Sequence, residues 1–138
     1  MWTLYGYGGA NKIMNKIKET SHQQQFISWC ERHDFYTGYK DFDKTKKYTG
    51  CAFSVPNGGL RKAIDMVMLK REGLLTGASD VVIILPNKTI YMEFKTDNGK
   101  QSQKQKDFQA VCEMLGHKYY LVWSSFEAVG IVKEYLKC

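Results

Sequence analysis

The sequence contains no apolar run long enough to cross a bilayer as a helix, which argues against a membrane-spanning protein. Its N-terminus lacks the charged-then-apolar pattern of a secretory signal, so a cytoplasmic location is expected. No C-x-x-C pair is present, which removes the usual frameworks for zinc ribbons and dithiol redox chemistry. Cys30, Cys51, Cys112 and Cys138 are widely spaced and are expected to be free, partly buried thiols. His22, His33 and His117 show no ligand spacing. Repeats and low-complexity linkers are also missing, so the 138 residues are expected to form one domain, with residues 1–13 as an N-terminal arm.

What is present points to a packed core and a basic surface. Hydrophobic residues make up 43% and aromatics 14%, enough for a real interior. The formal net charge of +6 suits a polyanionic partner, because phosphate neutralisation dominates nucleic-acid affinity. Alone, that signal is weak.

Along the chain, residues 15–32 read as a helix with Ile17, Phe26, Ile27 and Trp29 as its apolar positions. A polar, Tyr- and Lys-rich segment follows, then a strand over 51–55 that ends at Pro56, and an Asn57-Gly58-Gly59 turn. Residues 60–71 read as a helix with a broad apolar face that includes Met66, Val67 and Leu69. Two strands, 80–85 and 89–95, flank Pro86-Asn87. Ser102 suits the N-cap of a helix closed by Gly116. A strand over 119–123 precedes a last helix capped by Ser125, whose Phe126, Val129, Ile131, Val132 and Tyr135 suit either core or interface. This order of elements specifies an α/β domain.

The hairpin carries the chemistry. With Pro86 and Asn87 as its turn, antiparallel pairing sets Asp80 opposite Glu93, with Cβ atoms about 5 Å apart. Lys95 points to the same face, while Met92 and Phe94 point into the core. Adjacent carboxylates repel, and a divalent cation relieves the conflict. Mg²⁺ or Mn²⁺ suits such oxygen ligands, can generate a hydroxide and can stabilise phosphoryl charge. Lys95 would steady the attacking water or the transition state. The same spacing also fits a capping Asp and an exposed ion pair worth ~0–1 kcal/mol. A three-residue turn would move Asp80 to the other face.

Further motifs occur in order around this hairpin: Val55-Pro56-Asn57-Gly58-Gly59, Leu69-Lys70-Arg71-Glu72-Gly73, Gly77-Ala78-Ser79-Asp80, Glu93-Phe94-Lys95-Thr96 and Ser102-Gln103-Lys104-Gln105. With them the sequence resembles the VRR-NUC family, virus-type replication-repair nucleases of the PD-(D/E)XK superfamily, from about Glu19 to the C-terminus. The resemblance implies a restriction-endonuclease-like core, a central mixed β-sheet flanked by helices. It implies Asp80, Glu93 and the backbone carbonyl of Phe94 as ligands of Mg²⁺ or Mn²⁺, and Lys95 as the catalytic lysine. Gln105 would orient water or phosphate, and Glu19 would bind metal directly or through water, unless it is a solvated helix residue. Ser79 stands where the family usually has Pro.

Several residues are expected to meet DNA. Asn57 lies in a turn whose amides suit phosphate, though a plain turn explains it equally. Arg61, Lys70, Lys100, Lys104 and Lys106 are candidates for phosphate contacts, with Arg71 nearby, and each is also an ordinary solvated charge. Residues 40–47 form either a DNA-binding loop or a soluble one. Gly73 and Gly77 would permit a tight chain path into the site. Compact relatives, often phage-encoded, resemble Holliday-junction resolvases. By that likeness the chain is expected to be a homodimeric, metal-dependent endodeoxyribonuclease acting on branched or four-way-junction DNA in a bacterial or phage-infected cell. A non-catalytic DNA-binding module and a sequence-specific restriction-type endonuclease are the alternatives.

Overall fold

The computed structural model describes residues 5–56 and 63–137. A long helix, α1 (Tyr5–Arg32), leads into two short strands, β1 (Phe35–Tyr36) and β2 (Gly50–Ser54). Helix α2 (Ala63–Arg71) then precedes the hairpin of β3 (Val81–Leu85) and β4 (Lys88–Phe94). Helix α3 (Gln103–Met114), strand β5 (Lys118–Val122) and helix α4 (Ser125–Leu136) complete the chain. The five strands form one mixed sheet in sequential order, β1-β2-β3-β4-β5. The outer pairs β1–β2 and β4–β5 are parallel, and the two inner pairs are antiparallel. The expected α/β architecture, a mixed sheet flanked by helices, is therefore present.

Alternation along the strands divides the two faces of the sheet. Val81, Ile83 and Leu85 of β3 and Ile90, Met92 and Phe94 of β4 point to one side, where Phe26 and Cys30 of α1 and Ala128 and Val132 of α4 close the core. The opposite face carries Tyr91 and Tyr119, and Phe108 of α3 meets both rings edge-on at 5.7 and 6.0 Å. Burial drives the Cys30 thiol up to about 12. Cys30, Cys51 and Cys112 are free, as their spacing predicts.

Four details depart from the sequence reading. Helix α1 begins at Tyr5 rather than near residue 15; a helix nucleated downstream propagates through weak formers such as Gly6, Gly8 and Gly9, which hide it in the sequence. Ser124, not Ser125, caps α4: its hydroxyl accepts from the Glu127 N–H at 3.0 Å, and the Ser125 hydroxyl instead donates to Gln25. Strand β1 is only two residues long, too short to leave a pattern. Among the described residues, none from the apolar stripe of α2 joins the core, and Val67 and Met68 stay about half exposed.

Candidate active site

The hairpin register is the one that places two carboxylates together. Leu85 pairs with Lys88 across Pro86-Asn87, and Asn87 takes the left-handed conformation, φ 60°, that a two-residue turn asks of its second position. The ladder continues to Val81–Met92, so Asp80 and Glu93 come next. There side chains take over from the backbone ladder. The Asp80 N–H donates to Glu93 Oε2 at 3.0 Å, and the Phe94 N–H donates to Asp80 Oδ2 at 2.9 Å. This reciprocal clasp fixes both carboxylates against their own peptide planes. The Asp80 carbonyl accepts from the Val55 N–H at 2.8 Å, which ties the site to β2.

Glu93 is 2% exposed, and its other oxygen is held as well. Gln105 Nε2 donates to Glu93 Oε1 at 2.6 Å, and Lys95 Nζ stands 3.7 Å from the same atom. A carboxylate this deeply buried needs hydrogen bonds and opposite charge around it, and it has both. Gln105 is positioned by a capping box: its N–H donates to Ser102 Oγ at 3.2 Å, and its Oε1 accepts from the Ser102 N–H at 2.9 Å. Both ends of the Gln105 amide are thus engaged within the protein. Gln105, expected to orient water or phosphate, is placed directly on Glu93.

Gly77 sets how closely the segment before Asp80 approaches α3. It has φ +91°, and a Cβ there would lie 2.5 Å from the Lys104 carbonyl and 2.8 Å from the Gln105 nitrogen. Only glycine allows both the dihedral and the contact. Ser79, fully buried, directs its hydroxyl to the Val81 carbonyl at 3.3 Å, a local bond that the proline usual at this position lacks.

The remaining candidates divide. Lys70 and Lys104 line one cavity of about 530 Å³ with Leu74, Phe108 and Val111, so α2 and α3 do bring two of the basic residues together. Lys100, Lys106 and Arg71 are exposed, with no carboxylate partner among the described residues. Asn57 and Arg61 lie outside the described residues. Glu19 is half-buried on α1, and among the described residues no three His, Cys, Asp or Glu side chains gather as a metal cage.

Sequence reasoning missed Tyr119, and it placed Gln101 only in the Lys100–Lys106 patch expected to meet DNA. Gln101 Nε2 donates to Gln109 Oε1 at 2.9 Å and to Tyr119 Oη at 3.3 Å, which pins the segment leading into α3. Burial pushes the Tyr119 phenol well above its ordinary value; the Gln101 bond opposes the rise, and the charges of Glu93 and Asp80 add to it. The parallel register Glu93–Leu121 puts Tyr119 on the carboxylate face. No turn sets that register, so the sequence carries no signal for it.

The mixed sheet flanked by helices is a nuclease-type fold, as the family match shows. The chain belongs to the VRR-NUC family: the model of the VRR-NUC domain matches residues 17–125. A solved structure named VRR_NUC domain protein is similar at a TM-score of 0.62 and 16% identity, over 87% of this chain and 88% of that one. No curated protein matches the chain in sequence. Among the described residues no helix is long and apolar enough to cross a membrane.

Proposed function

We propose that this chain is a metal-dependent endodeoxyribonuclease that hydrolyses phosphodiester bonds at the Asp80–Glu93 pair. The observation that carries the reading is the carboxylate clasp with Lys95 at 3.7 Å and Gln105 at 2.6 Å from one Glu93 oxygen. A purely structural ion pair has no need of a second carboxylate facing it. The donor set is two carboxylates, both hard oxygen ligands, with no three-residue cage among the described residues. That set fits Mg²⁺ or Mn²⁺, which take one or two carboxylates and complete their shell with water and phosphate oxygens; it does not fit a structural zinc site.

Asp80 and Glu93 would hold the ion, with the Phe94 carbonyl as a further ligand and Glu19 reaching it through water. When bound, such an ion lowers the pKa of water and offsets charge on the phosphoryl oxygens. Lys95 hydrogen-bonds the attacking water or a non-bridging oxygen as charge builds there, an interaction strongest in the transition state. Gln105 holds the Glu93 carboxylate in one rotamer and so acts as a positioning residue. Water oxygen bonds to phosphorus, the P–O bond to one sugar breaks, and a proton passes to the leaving oxygen. Lys70, Lys100, Lys104 and Lys106, with Asn57 and Arg61, would bind flanking phosphates without reading bases.

The preferred substrate in this reading is branched DNA, cut by a homodimer whose two-fold axis matches a four-way junction. The test is incubation with labelled junction, flap, single-stranded and linear duplex DNA in Mg²⁺, Mn²⁺ or EDTA. Metal-dependent cleavage with paired nicks at the junction is expected. Absence of cleavage on every substrate in both metals would sink the enzymatic reading, and cutting of linear duplex at one short sequence would replace the branched-DNA preference.

A further inference from the structure

The sheet face that carries the carboxylates is covered unevenly. Over β4 and β5, Phe108 of α3 meets Tyr91 and Tyr119. Over β2 and β3, Phe53 is 42% exposed and Ile84 44%. Alternation puts both on the carboxylate face, because Ala52, Val81 and Ile83 turn to the core. Large apolar side chains left open beside a polar site mark a contact surface.

The register ties this surface to the site. Phe53 pairs with Val82 and Ser54 with Val81, and the Val55 N–H donates to the Asp80 carbonyl at 2.8 Å. Val55 therefore stands opposite Asp80 on the same face, with Cβ atoms about 5 Å apart, and Phe53 lies diagonal to Asp80 at about 7–8 Å. Val82 is two residues along the strand from Asp80, about 7 Å away. The site thus has two sides. Toward β4 and α3 it presents Glu93, Lys95 and Gln105. Toward β2 its nearest described neighbours are Val55, Phe53 and Val82, whose side chains carry no hydroxyl, amide or charge.

A phosphate held at Asp80 and Glu93 carries a sugar on each of its ester oxygens, within reach of this apolar side. The net charge of +6 attracts the strand as a polyanion, and the apolar side meets its sugar. A deoxyribose packs its C2′ methylene there without loss. A ribose would press its 2′-hydroxyl against a surface that offers no partner, and a buried hydroxyl without one is costly. That hydroxyl is the group by which a protein tells RNA from DNA.

We propose that Phe53, backed by Val55 and Val82, seats the deoxyribose next to the phosphate being cut and excludes ribose. The inference rests on the nuclease reading and deepens it, naming the residue that makes the site select deoxyribose strands whatever their branching.

The test uses three short fluorescein-labelled strands, of deoxyuridine, of uridine and of 2′-fluoro-deoxyuridine. Their bases and phosphates are identical, and the fluoro sugar keeps the ribose pucker without the hydroxyl. Binding is followed by anisotropy in EDTA. The wild-type protein is expected to bind the deoxyuridine and fluoro strands alike and the uridine strand about tenfold more weakly, as one hydroxyl buried without a partner implies. Phe53→Gln gives that hydroxyl an amide partner and is expected to close most of the gap. Phe53→Leu keeps the surface apolar and is expected to retain it. Equal binding of the deoxyuridine and uridine strands by the wild type would overturn the inference, as would failure to bind any strand. A fluoro strand bound as weakly as uridine, an unchanged gap in Phe53→Gln, or a gap lost equally in Phe53→Leu would overturn it too. Cleavage in Mg²⁺ is scored separately. A protein that cuts DNA without a sugar preference in binding loses the Phe53 assignment alone. One that shows the preference without cutting loses the nuclease reading alone.

Discussion

Glu93 is the most constrained residue of the site. It is buried at 2% exposure, bonded by the Asp80 N–H and by Gln105, and flanked by Lys95. Each neighbour can be removed singly. Lys95→Ala should lower the cleavage rate by about 100-fold or more, the usual cost of losing one preorganised donor to a developing charge. DNA affinity in EDTA should change little; undiminished cleavage by that variant would refute the site. Gln105→Ala should cost about 10- to 100-fold in activity or metal affinity, because a ligand loses the partner that orients it. A metal titration distinguishes this from simple destabilisation: the midpoint should move to higher concentration, and Gln105→Glu should not restore it, since a carboxylate facing Glu93 repels it.

At the scale of elements, the site depends on how the segment before β3 meets the first turn of α3. Gly77→Ala places a Cβ 2.5 Å from the Lys104 carbonyl and forces a non-glycine residue to φ +91°. The change should destabilise the fold by about 1–3 kcal/mol, read as a lower urea midpoint at unchanged slope. Ser102→Ala removes the hydroxyl half of the capping box and should cost about 1 kcal/mol, with a fall in activity because Gln105 sits on the same turn. A Ser102→Ala variant with full activity would show that Gln105 is held by its contact with Glu93 alone.

For the whole molecule, two buried acids bear on alkaline stability. Burial raises the Cys30 thiol from 9.0 to about 12 and carries the Tyr119 phenol upward from 10.0. For both, the folded state keeps the proton that the unfolded chain gives up. The contribution is complete below pH 9 and is lost as pH rises from there through about 12 for Cys30. Urea midpoints should therefore fall between pH 9 and pH 12, and Cys30→Ala should flatten the thiol's share of that fall. Native Cys30 should also resist alkylation at neutral pH, because its thiolate is scarce and its side chain is fully buried.

The sequence by itself determined the hairpin and its register. Pro86-Asn87 permits a two-residue turn, and with that turn the β-branched run 81–84 sets Asp80 opposite Glu93, the register the structure has. It also determined the Ser102 cap and the order of every helix and strand but β1, because caps and periodicity are local signals. Tertiary structure decided everything that depends on elements far apart in the chain. It turned Gln105 to Glu93, placed Tyr119 on the carboxylate face through a parallel register, and left the described side chains of α2 outside the core despite its apolar stripe. It brought Lys70 to Lys104. The physical reason is that a turn fixes pairing within a few residues. Parallel strands and helix-to-sheet contacts are fixed only when the core closes.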